Sequence, residues 1–164
     1  MKKFNIPRNF RPTLVILAIV ILAISVYRTV YVNIDSKYYL ASEEEDPNVT
    51  NLPAGKETKD SREFDFGKFS GRWNIMEFKS TKGNKIKIVD NSKITKGKLY
   101  VVVLDSNYKS LAIHKSDGKS TLNLTTPKDG KYIIRIVGQK TSGHINMKVT
   151  SPQNIHLIHR GVFG

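Results

Sequence analysis

Lys85-Ile86-Lys87-Ile88 alternates an ammonium with a β-branched apolar side chain, and Lys98-Leu99-Tyr100-Val101-Val102-Val103-Leu104-Asp105 follows it beyond a Lys96-Gly97 step. Successive side chains of an extended backbone point to opposite faces, so the first stretch predicts a strand with isoleucines inward and lysines outward. In the second stretch Leu99, Val101 and Val103 share one face while Tyr100, Val102 and Leu104 share the other. Apolar residues on both faces predict a central strand covered on both sides.

Working outward, the same period recurs. His144-Ile145-Asn146-Met147-Lys148-Val149 splits like the first stretch, and Tyr132, Ile134 and Ile136 oppose Ile133, Arg135 and Val137. Strands are expected over 64–66, 73–78, 85–89, 98–104, 110–114, 121–125, 131–137 and 144–149. Between them stand Gly67 to Gly71, Lys82-Gly83-Asn84, Lys96-Gly97, Asp105-Ser106-Asn107, Asp117-Gly118, Pro127 to Gly130 and Ser142-Gly143, residues that tight turns prefer. About eight strands with turns at regular intervals and no helical periodicity predict an all-β class, an antiparallel jelly-roll-like β-sandwich over residues 63–150.

Two stretches carry a family resemblance: Gly97 to Asp105, and Thr126-Pro127-Lys128-Asp129-Gly130-Lys131-Tyr132-Ile133-Ile134-Arg135-Ile136. A Gly-x-Leu start, a hydrophobic run and an Asp turn, then Pro-x-x-Gly-x-Tyr and an alternating strand, resemble the jelly-roll accessory domains of bacterial extracytoplasmic proteins. The pre-peptidase C-terminal domain type is among them. The resemblance covers residues 64–149 and implies a non-catalytic module attached to something else, here an N-terminal membrane anchor.

The anchor is read from Leu14 to Ile24, an unbroken run of Leu, Val, Ile and Ala inside sixteen uncharged residues between Arg11 and Arg28. Sixteen helical residues cover about 24 Å at 1.5 Å each, short of a ~30 Å hydrocarbon core. Arg28 can snorkel toward the headgroups, the apolar stretch resumes beyond it, and Tyr27 suits an interfacial aromatic belt. These features predict a transmembrane helix over 13–34, with Leu14, Ile24, Tyr27 and Arg28 as its marking residues. The competing reading is a cleaved signal peptide ending at Ala23-Ile24-Ser25; against it, Val26 and Tyr27 follow with no polar break. Lys2, Lys3, Arg8 and Arg11 precede the span, so residues 1–12 are expected in the cytoplasm, with the C-terminal domain extracytoplasmic and the whole a single-pass cell-membrane protein.

From 35 to 62 the periodicity fades and an acidic block, Glu43 to Asp46, appears among prolines and charges, which predicts a flexible tether. Residues 151–164 are expected to form a C-terminal tail. The chain of 164 residues carries 27 Lys plus Arg against 14 Asp plus Glu, a net charge of +13. Most of that excess lies after residue 62.

The absence of cysteine excludes disulfide scaffolds, thiol catalysis and Cys-ligated metals. No nucleophile elbow, zincin motif, P-loop or EF-hand is present. His156 and His159 form an H-x-x-H pair in a stretch with Pro152 and Gly161 and no carboxylate to complete a zinc site. No catalytic residue, metal or cofactor is assigned, and the chain is read as a non-enzymatic binding module of the cell envelope. The basic strand faces suggest an anionic partner: a cell-wall polymer or lipid headgroups, with nucleic acid disfavoured. Lys85, Lys87, Arg135 and Lys148 are the candidate anion-binding residues, each placed on an outward strand position. Trp73 is the candidate aromatic platform. Alternatives are a scaffold that meets another membrane protein and, as a minority reading, an envelope hydrolase. Outward lysines also have a plainer use, since they discourage edge-to-edge strand pairing.

Overall fold

The computed structural model describes residues 10–162, so the charges at Lys2, Lys3 and Arg8 lie outside the described residues. The chain divides into two units, Met1–Tyr39 and Leu40–Gly164. In the first, helix α1 (Phe10–Tyr27) continues into a π-helical turn, Arg28–Val32. The stretch Pro12–Val32 is long and apolar enough to cross a membrane, with a mean hydropathy of 2.3. Leu14, Ile24 and Tyr27 stand exposed along it, as does Arg28. The helix runs through Ala23 and Ser25 without a break, and the rings of Tyr27 and Tyr31 stack at 5.5 Å. A short helix α2, Lys37–Ala41, follows.

The second unit is all-β and antiparallel, a nine-stranded sheet folded on itself as a sandwich. Its strands are β1 (Asn48–Thr50), β2 (Lys56–Glu57), β3 (Ser61–Ser80), β4 (Lys85–Asp90), β5 (Lys93–Asp105), β6 (Ser110–Lys115), β7 (Ser120–Thr125), β8 (Gly130–Thr150) and β9 (Leu157–His159). β3 and β8 pair along nearly their whole length. One end of that long ribbon continues through β4 to β7, and the other through β5 to β6. The two halves enclose one core, in which Ile86, Ile88, Ile145 and Met147 meet Trp73, Val101, Val103 and Ile136.

The alternation holds where it is simplest. Ile86 and Ile88 are buried and Lys85 and Lys87 exposed. Each buried isoleucine contributes about 1.5–3 kcal/mol relative to an exposed one. β5 is central between β8 and β6, and Val102 and Leu104 on its second face are as buried as Val101 and Val103 on its first.

Three expectations are corrected. The strands expected at 64–66 and 73–78 are one strand, β3, and those at 131–137 and 144–149 are one strand, β8. The intervening glycine-rich stretches are bulges, marked by register shifts between Phe66, Phe69 and Gly71, because the partner strand continues past them. The tether expected over 35–62 is folded from Leu40 onward: β1 and β2 pair with β3, and the acidic block lies across the sheet. Nor are residues 151–162 a free tail. β9 pairs with β3 at Met76 to Phe78, and Leu157 enters the core.

Candidate functional site

On the outer face of β4, Lys85 and Lys87 flank a shallow depression of 240 Å³ shared with Asn123 and Thr125 of β7. Lys148 stands on the neighbouring strand, in register with Val89, and its Nζ lies 3.1 Å from Asp60 Oδ2. Lys85 and Lys87 make no ion pair among the described residues. The structure therefore brings three of the four expected anion-binding residues onto one sheet face.

Arg135 is not on that face. It is fully buried in the central part of β8, where its Nε donates to Asn74 Oδ1 at 2.7 Å and its Nη1 to the backbone carbonyls of Leu40 and Ser42. Its guanidinium lies 5.4 Å from the ring centre of Tyr108. Burial draws its pKa below that of a free guanidinium, against the opposing charge of Glu45. Alternation placed Arg135 correctly opposite Ile134 and Ile136, but that second face is roofed by residues 40–46. The roof is held by charge: Asp46 and Glu44 receive Arg72, and Glu45 accepts from the backbone N–H of Asn74 at 2.9 Å and from its side-chain amide.

Trp73 is likewise internal, 1% exposed. Its ring packs on Phe64 at 5.2 Å, the Arg62 guanidinium lies over it at 5.0 Å, and its Nε1–H donates to the carbonyl of Gly161 at 2.9 Å. It presents no platform to a ligand.

The histidines divide. His144, on the outer face of β8, has Nδ1 2.9 Å from Asp65 and Nε2 3.3 Å from Glu63. His159 Nε2 is 2.8 Å from the carbonyl of Thr58. Among the described residues no three His, Asp or Glu side chains are grouped to hold a metal ion. Asp105, read as a turn residue, accepts from the backbone N–H of Asn107 and Lys109 and pairs with Lys128 at 3.0 Å.

A second lysine cluster, not anticipated from the sequence, lies where the sheet turns over. Here β3, β5 and β8 are all irregular at one level, with register shifts on either side of Phe69 and of Lys96. Gly97 has φ +77°, and a Cβ there would run into the carbonyl of Lys140, so the Lys96-Gly97 bend needs glycine. Lys140 itself holds φ +50°, a conformation non-glycine residues seldom adopt, with its N–H donating to Ser70 Oγ at 2.9 Å. The bends surround a pocket of 430 Å³ lined by Lys68, Lys96 and Lys140 together with Asn48, Thr50 and Ser70. No carboxylate lines it. It adjoins, through Ser142, a broad open groove of 840 Å³ that includes Lys93, Asp65 and His144. The one sequence signal for the cluster is that each lysine sits within two residues of a glycine: Gly67, Gly97 and Gly138.

No protein-family model matches the chain, and no curated protein matches it. Among solved structures, one described as "CBM4 structure and function" is similar with a TM-score of 0.34 and 10% sequence identity, over 67% of this chain and 79% of that chain.

Proposed function

We propose that the chain is a membrane-anchored, non-enzymatic β-sandwich module of the cell envelope that engages an anionic polymer outside the membrane. The observation that carries this reading is the division of charge within the sheet unit. Arg62, Arg72 and Arg135 are buried, and the carboxylates Glu44, Glu45, Asp46, Glu57, Glu77 and Asp105 are engaged with partners of the same unit. Lysines such as Lys68, Lys85, Lys87, Lys93, Lys96 and Lys140 stand outward. With those carboxylates paired within the unit and the lysine ammoniums facing solvent, the surface carries an excess of positive charge, which attracts polyanions. The apolar helix and the positive charges before it support a single-pass anchor with the sheet unit outside.

The test is sedimentation of the full chain in non-ionic detergent with a phosphate-rich wall polymer at low and high salt. Binding at low salt that falls steeply as salt rises is expected, because lysine contacts release counterions. Replacing Lys85, Lys87 and Lys148 together with Gln should weaken it by at least about tenfold, or roughly 1.4 kcal/mol, against less than about threefold for Lys115 and Lys119. Absence of binding at low salt would end the proposal. Capture of a membrane protein that survives high salt would favour a scaffold instead.

A further inference from the structure

We infer that the pocket formed by Lys68, Lys96 and Lys140 is a dedicated phosphodiester site, which gives the polymer binding proposed above its chemical selectivity and rests on that reading. Three strands remote in sequence each deliver one lysine to the same pocket, at the one level where all three are bent. In a regular strand Lys96 and Lys98 would share a face; the shifts on either side of Lys96 break that pattern. Lys140 reaches its place only through a left-handed backbone, a strained conformation that persists where the surroundings impose it.

The donor set suits a phosphate group. Ammonium groups act as point charges with rotatable donors, and three of them can gather around the tetrahedral oxygens of a phosphate from several directions. This pocket has three lysines and no arginine, and the arginines of the unit are committed elsewhere. Asn48, Thr50 and Ser70 add neutral polar groups of the kind that bind hydroxyls, so a phosphodiester flanked by a polyol fits the lining better than a bare ion does. A pocket of 430 Å³ admits one such repeat, with the chain continuing along the adjoining groove past Ser142. The outer face of β4 and β8 differs: its lysines lie over an open surface, and Lys148 is already paired with Asp60.

The experiment compares the full chain in non-ionic detergent with a variant carrying Lys68→Gln, Lys96→Gln and Lys140→Asn, Asn being chosen because it tolerates the left-handed backbone. Two polymers of matched charge density are titrated, poly(glycerol phosphate) and polygalacturonate, and detergent micelles doped with phosphatidylglycerol form a third arm. Expected is a loss of at least about tenfold for poly(glycerol phosphate) and less than about threefold for polygalacturonate, while the Lys85, Lys87, Lys148 variant loses affinity for both polymers alike. A selective loss on the phosphatidylglycerol micelles identifies the lipid headgroup as the source of the phosphodiester, and one on the soluble polymer identifies the wall. All three substituted lysines are exposed, and Lys68→Gln alone supplies a conservative check, expected to give a smaller loss of the same selectivity. Equal losses on both polymers, or none, would overturn the pocket while leaving polyanion binding intact. No binding to either polymer by the unaltered chain would remove both proposals together.

Discussion

Arg72 and Asp46, 26 residues apart, are joined by three hydrogen bonds: the backbone N–H and Nε of Arg72 each donate to Asp46 Oδ1 at 2.8 Å, and the Asp46 N–H donates to the Arg72 carbonyl at 3.1 Å. This contact pins the acidic segment over the buried face of β8. Gly71 permits it, since a Cβ at that position would collide with the Asp46 carbonyl.

Asp46→Ala should therefore lower the unfolding free energy by roughly 2 kcal/mol, because it removes charged hydrogen bonds from a buried guanidinium. Urea denaturation measures it. A fragment of residues 40–164 should fold, whereas 63–150, which lacks both the roof over Arg135 and strand β9, should not. A cooperative transition in the shorter fragment equal to that of the longer one would contradict the structural role of the roof.

Acid should weaken the fold through the same group. Burial alone would raise the Asp46 carboxyl, but its hydrogen bonds to Arg72 and the charge of Arg72 outweigh that and hold it below the ordinary 3.8. Asp105 is shifted the same way: burial opposes, while Lys128 and the N–H groups of Asn107 and Lys109 prevail. A carboxyl with a folded pKa below its unfolded one contributes fully above the unfolded value and ceases to contribute as pH falls through the folded one. Stability should be level above about pH 5 and decline below about pH 4. Asp105→Asn should flatten that decline, and an unchanged slope in urea titrations across this range would refute the assignment.

Trp73, the only tryptophan, gives the chain an internal probe. Its emission should be blue-shifted and poorly quenched by acrylamide. Trp73→Ala should cost about 3–5 kcal/mol. Trp73→Phe, which mainly forfeits the bond to Gly161, should cost less. Quenching at the rate of free tryptophan would be incompatible with its burial.

Ile86→Lys should be severely destabilising, since it places an unpaired ammonium in a fully packed core. Lys87→Ile, one residue along, should change the thermal midpoint little. Comparable effects of the two would mean that the register of β4 against β7 and β8 is wrong.

The alternation of Lys85 to Ile88 was sufficient by itself to place each side chain inside or outside, because a two-residue period leaves a strand with one buried face no other choice. The doubly apolar Lys98 to Leu104 likewise announced a central strand, and the run from Leu14 to Ile24 announced a helix apolar enough for a bilayer. What the period cannot convey is what lies beyond the second face. Arg135 looked outward because its cover, residues 40–46, comes from a stretch whose charge resembles a solvated linker until Arg72 and Asn74 receive it. The glycine-rich stretches 67–71 and 138–143 are compositionally indistinguishable from turns, and only the continuing partner strand makes them bulges. The lysine pocket has the same origin: Lys68, Lys96 and Lys140 are separate basic residues in the sequence, and they form a site because three strands bend at one level of the folded sheet.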